Sequence, residues 1–121
     1  MASFERFEDI EAWKRARHLS KAVYDVSNSN AFARDYGLRD QIRRAVVSIM
    51  SNIAEGFERG GNREFIQYLF IARGSAAEVQ AQLYIALDAE YITQEQFTQL
   101  YDMGSDITRI ITGLIRYLKT C

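Results

Sequence analysis

The side chains that most often catalyse reactions or bind metal ions are scarce in this sequence of 121 residues. His18 is the one histidine and Cys121 the one cysteine. A zinc site needs a set of nitrogen and sulfur ligands. A di-iron site in a helical bundle needs a pair of Glu-x-x-His motifs, whereas the residue three before His18 is Arg15. A serine nucleophile needs a base within hydrogen-bond reach, and the neighbours of His18 are basic. We therefore expect no metal, no cofactor and no enzymatic activity.

Two strips of polar residues each lie beside an apolar helical stripe. Their members are Ser48, Asn52 and Glu55 in the first strip and Ser75, Glu78 and Gln82 in the second. Intervals of three and four residues place each strip on one face of a helix. If the two helices pack antiparallel, the strips can form a network that fixes helix register or a subunit contact, because buried polar groups need partners. The alternative is that both strips are solvated edges, and spacing alone leaves both interpretations open.

Lysine and arginine residues are clustered, and phosphate groups are the ligands that such clusters bind. The candidate nucleic-acid-binding residues are Lys14, Arg15, Arg17, Lys21, Arg39, Arg43, Arg44, Arg59 and Arg63. A second explanation is that these cations keep outer helix faces soluble and complement helix dipoles. Acidic residues that can partly neutralise the first cluster are Glu5, Glu8, Asp9 and Glu11. Composition alone favours the second explanation.

Apolar residues recur at helical spacing in four segments of the chain. The predicted helices span about residues 9–26, 38–57, 63–90 and 94–119. The longest stripe begins at Phe65 and ends at Ala86. A second set on the same helix predicts a second buried side, and its members are Phe70, Ala77, Tyr84, Leu87 and Tyr91.

Capping and breaking residues mark several helix ends. Gly60 and Gly61 predict a helix stop, because glycine readily adopts the left-handed conformation. Asn62 is a good N-cap for the next helix, and threonine at 93 with glutamine at 96 matches a capping box. Within the helices, Gly74 and Gly104 each cost about 1 kcal/mol relative to alanine. We expect a close helix or subunit contact at these positions to offset that cost.

Short connections between amphipathic helices predict an all-α fold, an antiparallel up-down four-helix bundle in a single domain. The length fits one domain, and the absence of proline suits a chain that is almost entirely helical. The first connection is the longest, at about ten residues. It contains Phe32 and Tyr36, which we expect to pack over one end of the bundle.

The net charge is −1 at pH 7, which argues against a uniformly basic nucleic-acid-binding protein but allows a local basic patch. A single cysteine fits the reducing cytosol. Residues 1–9 include three acidic side chains and no apolar run, so we expect no signal peptide. No apolar stretch approaches the ~20 residues that span a bilayer. We therefore expect a cytoplasmic protein that does not bind membranes.

Several motifs resemble those of the bacterial four-helix bundle family linked to 23S rRNA intervening sequences. The central motif is Gln-Ile-Arg-Arg-Ala at 41–45, followed by Ser-Ile at 48–49 and Asn-Ile-Ala-Glu-Gly at 52–56. Residues 7–13 are similar to the family's aromatic–Leu–x–x–Trp pattern, with Ile10 in place of leucine. Glu-Phe at 64–65, Ile-Ala-Arg-Gly-Ser at 71–75 and Glu78 resemble its third helix. The resemblance covers nearly the whole chain.

The resemblance implies an accessory protein that assembles as a homopentamer. The family is related to the accessory variability determinants of diversity-generating retroelements, which bind nucleic acid and a reverse transcriptase. Its implied function is therefore non-enzymatic binding of RNA or DNA through basic residues on an accessible surface. The alternative is a protein–protein scaffold, a ring that docks a partner such as a reverse transcriptase without binding nucleic acid directly.

Overall fold

The computed structural model describes residues 4–121. Residues 1–3, which begin the segment in which we expect no signal peptide, lie outside this range. The helices are a 3-10 helix, Phe7–Asp9, and five α-helices: α1 Glu11–Ser27, α2 Asn30–Arg34, α3 Tyr36–Glu58, α4 Asn62–Asp88 and α5 Gln94–Leu118. The four long helices confirm the predicted all-α bundle, and their ends lie within two residues of the predicted ones.

The long helices pack around one apolar core in up-down order. α3 contacts α1 and α4, and α5 contacts α4 and α1. α1 and α3 are antiparallel, because Ser27 at the end of α1 bonds to Arg43, whereas Ser20 bonds to Val46, farther along α3. The apolar stripes predicted from the sequence supply the core, and side chains such as Ile49 are fully buried. Their removal from water is the main source of stability.

The short helix α2 was not predicted from the sequence, which indicated only a connection there. Its five residues are too few to show helical periodicity. The structural reason for its position is Phe32, which is fully buried and stacks on Tyr91 with ring centres 5.4 Å apart. The predicted packing of Phe32 over the end of the bundle is therefore confirmed, whereas Tyr36 is exposed.

The predicted helix caps are confirmed, except that one N-cap lies one residue earlier than predicted. Thr93 and Gln96 form the expected capping box at the start of α5. Gly60 ends the α3 region with φ +87°, a conformation that favours glycine. The predicted N-cap Asn62 is instead the first residue of α4, and Gly61 takes the N-cap position. Asp35 caps α3, because its carboxylate accepts a bond from the Leu38 amide at 3.1 Å.

The second buried side predicted for α4 is wrong for its first three members. Phe70, Ala77 and Tyr84 are exposed. Leu87 and Tyr91 are partly buried against the core. The spacing of the set was helical, but α3 and α5 cover only the sides of α4 next to them. The outermost side of α4 remains open in the single chain.

The glycines differ in how closely other side chains approach them. Gly104 is buried, and a Cβ there would lie 3.1 Å from the Gln80 side chain, so the expected close contact is present. At Gly74 a Cβ would have nothing within 4 Å, so the contact expected there does not occur within the chain. Gly56 on α3 has the closest neighbour of the three, because a Cβ would lie 2.5 Å from Tyr68 Cβ on α4.

Candidate functional site

The nine basic residues singled out from the sequence do not form one patch. Four of them are held in ion pairs on the protein surface. These pairs are Arg15 with Glu11, Lys21 with Asp25, Arg39 with Asp40, and Arg59 with Glu55. Such pairs contribute little to stability, but each carboxylate offsets the positive charge beside it. These four residues therefore contribute less to a positive surface than their number in the sequence indicates.

Lys14 and Arg17 share with Trp13 an open groove that Arg6 and Glu8, an ion pair, also line. Neither Lys14 nor Arg17 makes an ion pair within residues 4–121. The Arg17 guanidinium carbon lies 6.0 Å from the Trp13 ring centre. Trp13 is fixed in turn by Phe7 of the 3-10 helix, with ring centres 5.1 Å apart. An aromatic side chain thus positions one of two exposed cations that have no acidic partner.

Arg43 lies farther along, where the last turns of α1 meet α3. Its Nε donates a hydrogen bond of 2.8 Å to Ser27 Oγ, and Ser27 is buried. Its guanidinium carbon lies 4.6 Å from the ring centre of Tyr24, which is partly exposed. Arg43 is not ion-paired in the described part of the chain. We call the surface formed by Trp13, Lys14, Arg17, Tyr24 and Arg43 the α1–α3 edge.

The remaining basic candidates lie elsewhere. Arg39 continues past the edge, where it packs on the Tyr36 ring at 4.8 Å and donates to the Ala33 carbonyl oxygen. Arg44 lines a groove between α3 and α4, and Arg63 is exposed near the start of α4. The structure therefore places Lys14 and Arg17 in one groove and Arg43 beside Tyr24, farther along α1, and separates them from Arg44 and Arg63.

The two polar strips meet through three of their members. Ser48 Oγ and Ser75 Oγ lie 2.9 Å apart, and Asn52 donates to Ser48 Oγ at 3.0 Å. Ser75 is buried and the other two are partly buried. Glu78 lines the α3–α4 groove with Arg44 and Ser48 but is not hydrogen-bonded to this network within the described residues. The serine–asparagine network thus joins α3 to α4 at the middle of the bundle.

Glu55 belongs to a separate group at the end of α3. It accepts hydrogen bonds from Arg59 at 2.8 Å and from the Tyr68 hydroxyl at 3.2 Å. The bond from Arg59, and then that from Tyr68, lowers the pKa of the Glu55 carboxyl below its ordinary value. The bond to Glu55 raises the pKa of Arg59. Both groups therefore stay charged, and the arrangement ties the end of α3 to α4.

Gln82 has an unsatisfied polar atom at the other end of the α3–α4 contact. The residue is 6% exposed, and its Nε2 donates a weak bond of 3.4 Å to Gln41 Oε1. Its own Oε1 has no hydrogen-bond partner. Buried polar atoms are normally paired. Sequence spacing placed Gln82 in the second strip but gave no sign that it would bond to Gln41 rather than to that strip's partners.

The described chain shows no arrangement typical of a metal centre. No group of three or more histidine, cysteine, aspartate or glutamate side chains within residues 4–121 is placed to hold a metal ion. In the same range, no helix has the length and apolar character needed to cross a membrane.

Comparisons with known proteins find a family model that matches the sequence and a solved structure with a similar fold. A sequence model of the family described as 23S rRNA-intervening sequence protein matches residues 8–113. The chain is also similar to a crystal structure from Bacteroides thetaiotaomicron, of a protein with unknown function from the S23 ribosomal protein family. The two are 23% identical, with a TM-score of 0.78 over 86% of this chain and 97% of the other. A comparison with curated proteins finds no match.

Proposed function

The chain belongs to the 23S rRNA-intervening sequence protein family, and on this premise we propose that it is a non-enzymatic, oligomeric accessory protein that binds RNA or DNA. The α1–α3 edge supplies the contact with the sugar–phosphate backbone. In this proposal the protein acts in the cytoplasm, the compartment that its single cysteine indicates.

The observation that carries this proposal is the set of unpaired cations beside aromatic rings on the α1–α3 edge. Lys14, Arg17 and Arg43 have no carboxylate partner in the described chain. Arg17 and Arg43 are each held against an aromatic ring. A preordered guanidinium loses less conformational freedom when it binds a phosphate, and its planar fork matches phosphate oxygens.

A net charge of −1 is compatible with this proposal. Much of the negative charge lies in surface ion pairs, such as Lys21 with Asp25 and Arg109 with Asp106. Exposed charges farther apart than about 10 Å are largely screened at 0.1 M salt. Binding strength then depends on the local cluster of cations rather than on the total charge of the chain.

Charge reversal on the edge tests the proposal. Lys14→Glu combined with Arg17→Glu should weaken binding to a labelled RNA or DNA by roughly tenfold or more at about 0.1 M salt, because each phosphate contact releases counterions. The slope of log affinity against log salt should become shallower by about two. Fluorescence anisotropy over a salt series measures both quantities.

Arg109→Glu is the matched control, because Arg109 is an exposed arginine on α5 that pairs with Asp106. It changes the net charge by two, half the change in the double variant, and lies off the α1–α3 edge. Equal weakening by this control would show a general charge effect and count against the edge. Binding by the parent protein that is unchanged from about 50 to 200 mM salt would contradict nucleic-acid binding through phosphates altogether.

The second candidate function is a protein scaffold, and the open side of α4 favours it. Ile71 and Ile85 are 51% and 54% exposed, with Gly74 and Ala81 between them. We call these four residues the α4 outer face, and we propose that a second copy of the chain covers it in a homopentameric ring. In the scaffold function, this ring docks a partner such as a reverse transcriptase and binds no nucleic acid itself.

The two candidate functions differ in whether the purified ring carries bound nucleic acid. An accessory protein of the first kind should show a raised ratio of nucleic-acid to protein absorbance that a high-salt wash removes, because the contacts are electrostatic. A scaffold should show the absorbance ratio of pure protein both before and after the wash. Light scattering gives the number of copies in each sample, and a monomer would contradict both candidates.

A further inference from the structure

An open groove of about 240 Å³ lies between α4 and the last turns of α5. Its lining residues are Phe70, Arg73, Thr112, Ile115, Arg116 and Lys119. Three of these are basic and none is acidic. We call this site the α4–α5 groove, and it is separate from the α1–α3 edge. None of its residues is among the nine basic candidates given above.

Phe70 and Arg73 lie together on the α4 wall of the groove. The Phe70 side chain is 41% exposed, although large aromatic rings are usually covered. The Arg73 guanidinium carbon lies 4.9 Å from the Phe70 ring centre, and Arg73 Nη1 donates a 3.0 Å bond to Thr112 Oγ1 on α5. The guanidinium is thus held in place by both helices. Aromatic rings and arginine planes are the surfaces on which nucleobases stack.

The positive charge of the groove is not neutralised. Arg73, Arg116 and Lys119 make no ion pair within residues 4–121. Arg109, on the same helix as Arg116, pairs with Asp106. The Lys119 ammonium instead lies 5.6 Å from the Phe70 ring centre. Two cations, Arg73 and Lys119, therefore lie over one exposed aromatic ring, and Arg116 lines the same groove.

The dipole of α5 accounts for only part of this arrangement. Cations are favoured in the last turn of a helix, which suits Arg116 and Lys119. Arg73, however, comes from the middle of α4, and the exposure of Phe70 has no relation to a dipole. A ligand with both a planar apolar part and a negative charge would use all four side chains at once.

We propose that the α4–α5 groove binds a nucleotide unit whose base stacks on Phe70 and Arg73 and whose phosphate contacts Arg116 and Lys119. Stacking needs an unpaired base, so the ligand is a single strand or a free nucleotide, and not an intact duplex. The inference shares the ligand class of the proposed function but not its residues. It adds selectivity for single strands to a protein whose α1–α3 edge contacts only the sugar–phosphate backbone.

The test measures anisotropy of a labelled oligothymidylate of about eight nucleotides, within the range that single-strand-binding modules cover. Phe70→Leu should weaken its binding by about tenfold, because a stacking surface is lost while an apolar side chain remains. The salt slope should not change. Arg116→Gln should also weaken binding, and it should reduce the salt slope by about 0.7, the value for one phosphate contact on a single strand.

Matched controls exist on the same two helices. Tyr84→Leu removes another exposed aromatic of α4, one that packs on Phe97 and Tyr101 rather than beside cations. Arg109→Gln removes another arginine of α5. Both controls should bind the strand as the parent protein does. Circular dichroism of every variant verifies that the helices are intact.

Competition with thymidine monophosphate tests whether the ligand is a free nucleotide or a nucleotide within a single strand. Displacement of the strand by the monophosphate, lost in Phe70→Leu, would show that a free nucleotide suffices. Phe70-dependent strand binding without such displacement would assign the groove to single strands. Both results support a nucleotide site.

The experiments distinguish an error in the groove proposal from an error in the α1–α3 edge proposal. The variant with Lys14→Glu and Arg17→Glu should still lose strand affinity when Phe70→Leu is added. If Phe70→Leu and Arg116→Gln bind the strand as well as the parent protein, the groove proposal is wrong, whatever the edge variant does. A Phe70 effect of equal size on duplex binding would overturn it too.

Discussion

Residue spacing predicted which polar side chains would share a helix face but not which of them would bond across helices. Ser48 and Asn52 are four residues apart, and Ser75 lies on a facing helix, so their meeting requires only that α3 and α4 pack antiparallel. Gln82 has the same type of spacing yet bonds to Gln41 and leaves an oxygen unpaired. The difference depends on the rotation of each helix about its axis, which a single sequence does not fix.

Gly56 sets the distance between α3 and α4. A Cβ at this position would lie 2.5 Å from Tyr68 Cβ and 3.2 Å from Phe65 Cδ1. Tyr68 Cβ is next to the backbone, so rotation of the Tyr68 side chain cannot relieve the overlap, and the helices must move apart. Overpacking of this kind costs about 1–3 kcal/mol, more than the ~1 kcal/mol that alanine gains in helix propensity.

We therefore expect Gly56→Ala to lower the free energy of unfolding by roughly 1 kcal/mol or more, measured by urea denaturation. Gly113→Ala is the control, since Gly113 is an exposed glycine within α5 and a Cβ there meets nothing within 4 Å. It should raise the free energy of unfolding by up to about 1 kcal/mol. Changes of the same sign in both variants would contradict the close approach at Gly56.

At the scale of helices, long periodic segments were predictable and the short one was not. α1, α3, α4 and α5 each repeat their apolar stripe over several turns, so one misplaced residue does not hide the pattern. α2 has five residues and is held by the burial of Phe32 against Tyr91, a contact between distant parts of the chain. Tertiary contacts of that kind leave no local signal in the sequence.

The junction of α2 and α3 has a pH dependence that can be measured. Tyr91 donates a 2.9 Å bond to Asp35, the N-cap of α3, and this bond, with a smaller effect of desolvation, raises the pKa of Tyr91 above its ordinary value. The neutral phenol is thus favoured in the folded state. The stability that it provides is fully present below the pKa of tyrosine in the unfolded chain, about 10. It is lost as pH rises through the higher folded pKa.

We expect Tyr91→Phe to lower the urea midpoint at pH 7. The gap between its midpoint and that of the parent protein should shrink as pH rises above about 10, because the parent protein then loses the same bond. Urea titrations at several pH values measure this difference. Tyr84→Phe is the control, because no hydrogen bond from the Tyr84 hydroxyl occurs within the described residues, and it should lower the urea midpoint at pH 7 less than Tyr91→Phe does. A Tyr91→Phe difference that grows at high pH would contradict the bond to Asp35.

For the whole molecule, the sequence indicated how many cations the chain has but not how they are distributed in space. Lys14 and Arg17 come from α1 and Arg43 from α3, and they lie along one side of the bundle only because α1 and α3 are neighbours. Phe70 was predicted to be buried because its spacing is helical, whereas its exposure depends on which sides of α4 the other helices cover. Both candidate sites are therefore properties of packing rather than of local motifs.

The α4 outer face leads to a prediction about assembly, which rests on the proposed ring. Ile71 and Ile85 lie more than three turns apart along one side of α4, with Gly74, Ala81 and the exposed Glu78 between them. A closed ring also needs a second, different patch on each copy, because contacts that are not two-fold symmetric join unlike surfaces. Disruption of the α4 patch alone should therefore open every contact of the ring.

Ile71→Lys with Ile85→Lys should convert a ring of five times the protomer mass into monomers in light scattering, because each contact would bury two unpaired ammonium groups. Val47→Lys is the control, since Val47 is 44% exposed on α3, away from this face. Helix content should stay unchanged in both variants, because the substituted side chains already face solvent in the single chain. An unaltered mass for the double variant would place the subunit contact elsewhere, and a monomeric Val47→Lys would show that the outer side of α3 supplies the second patch.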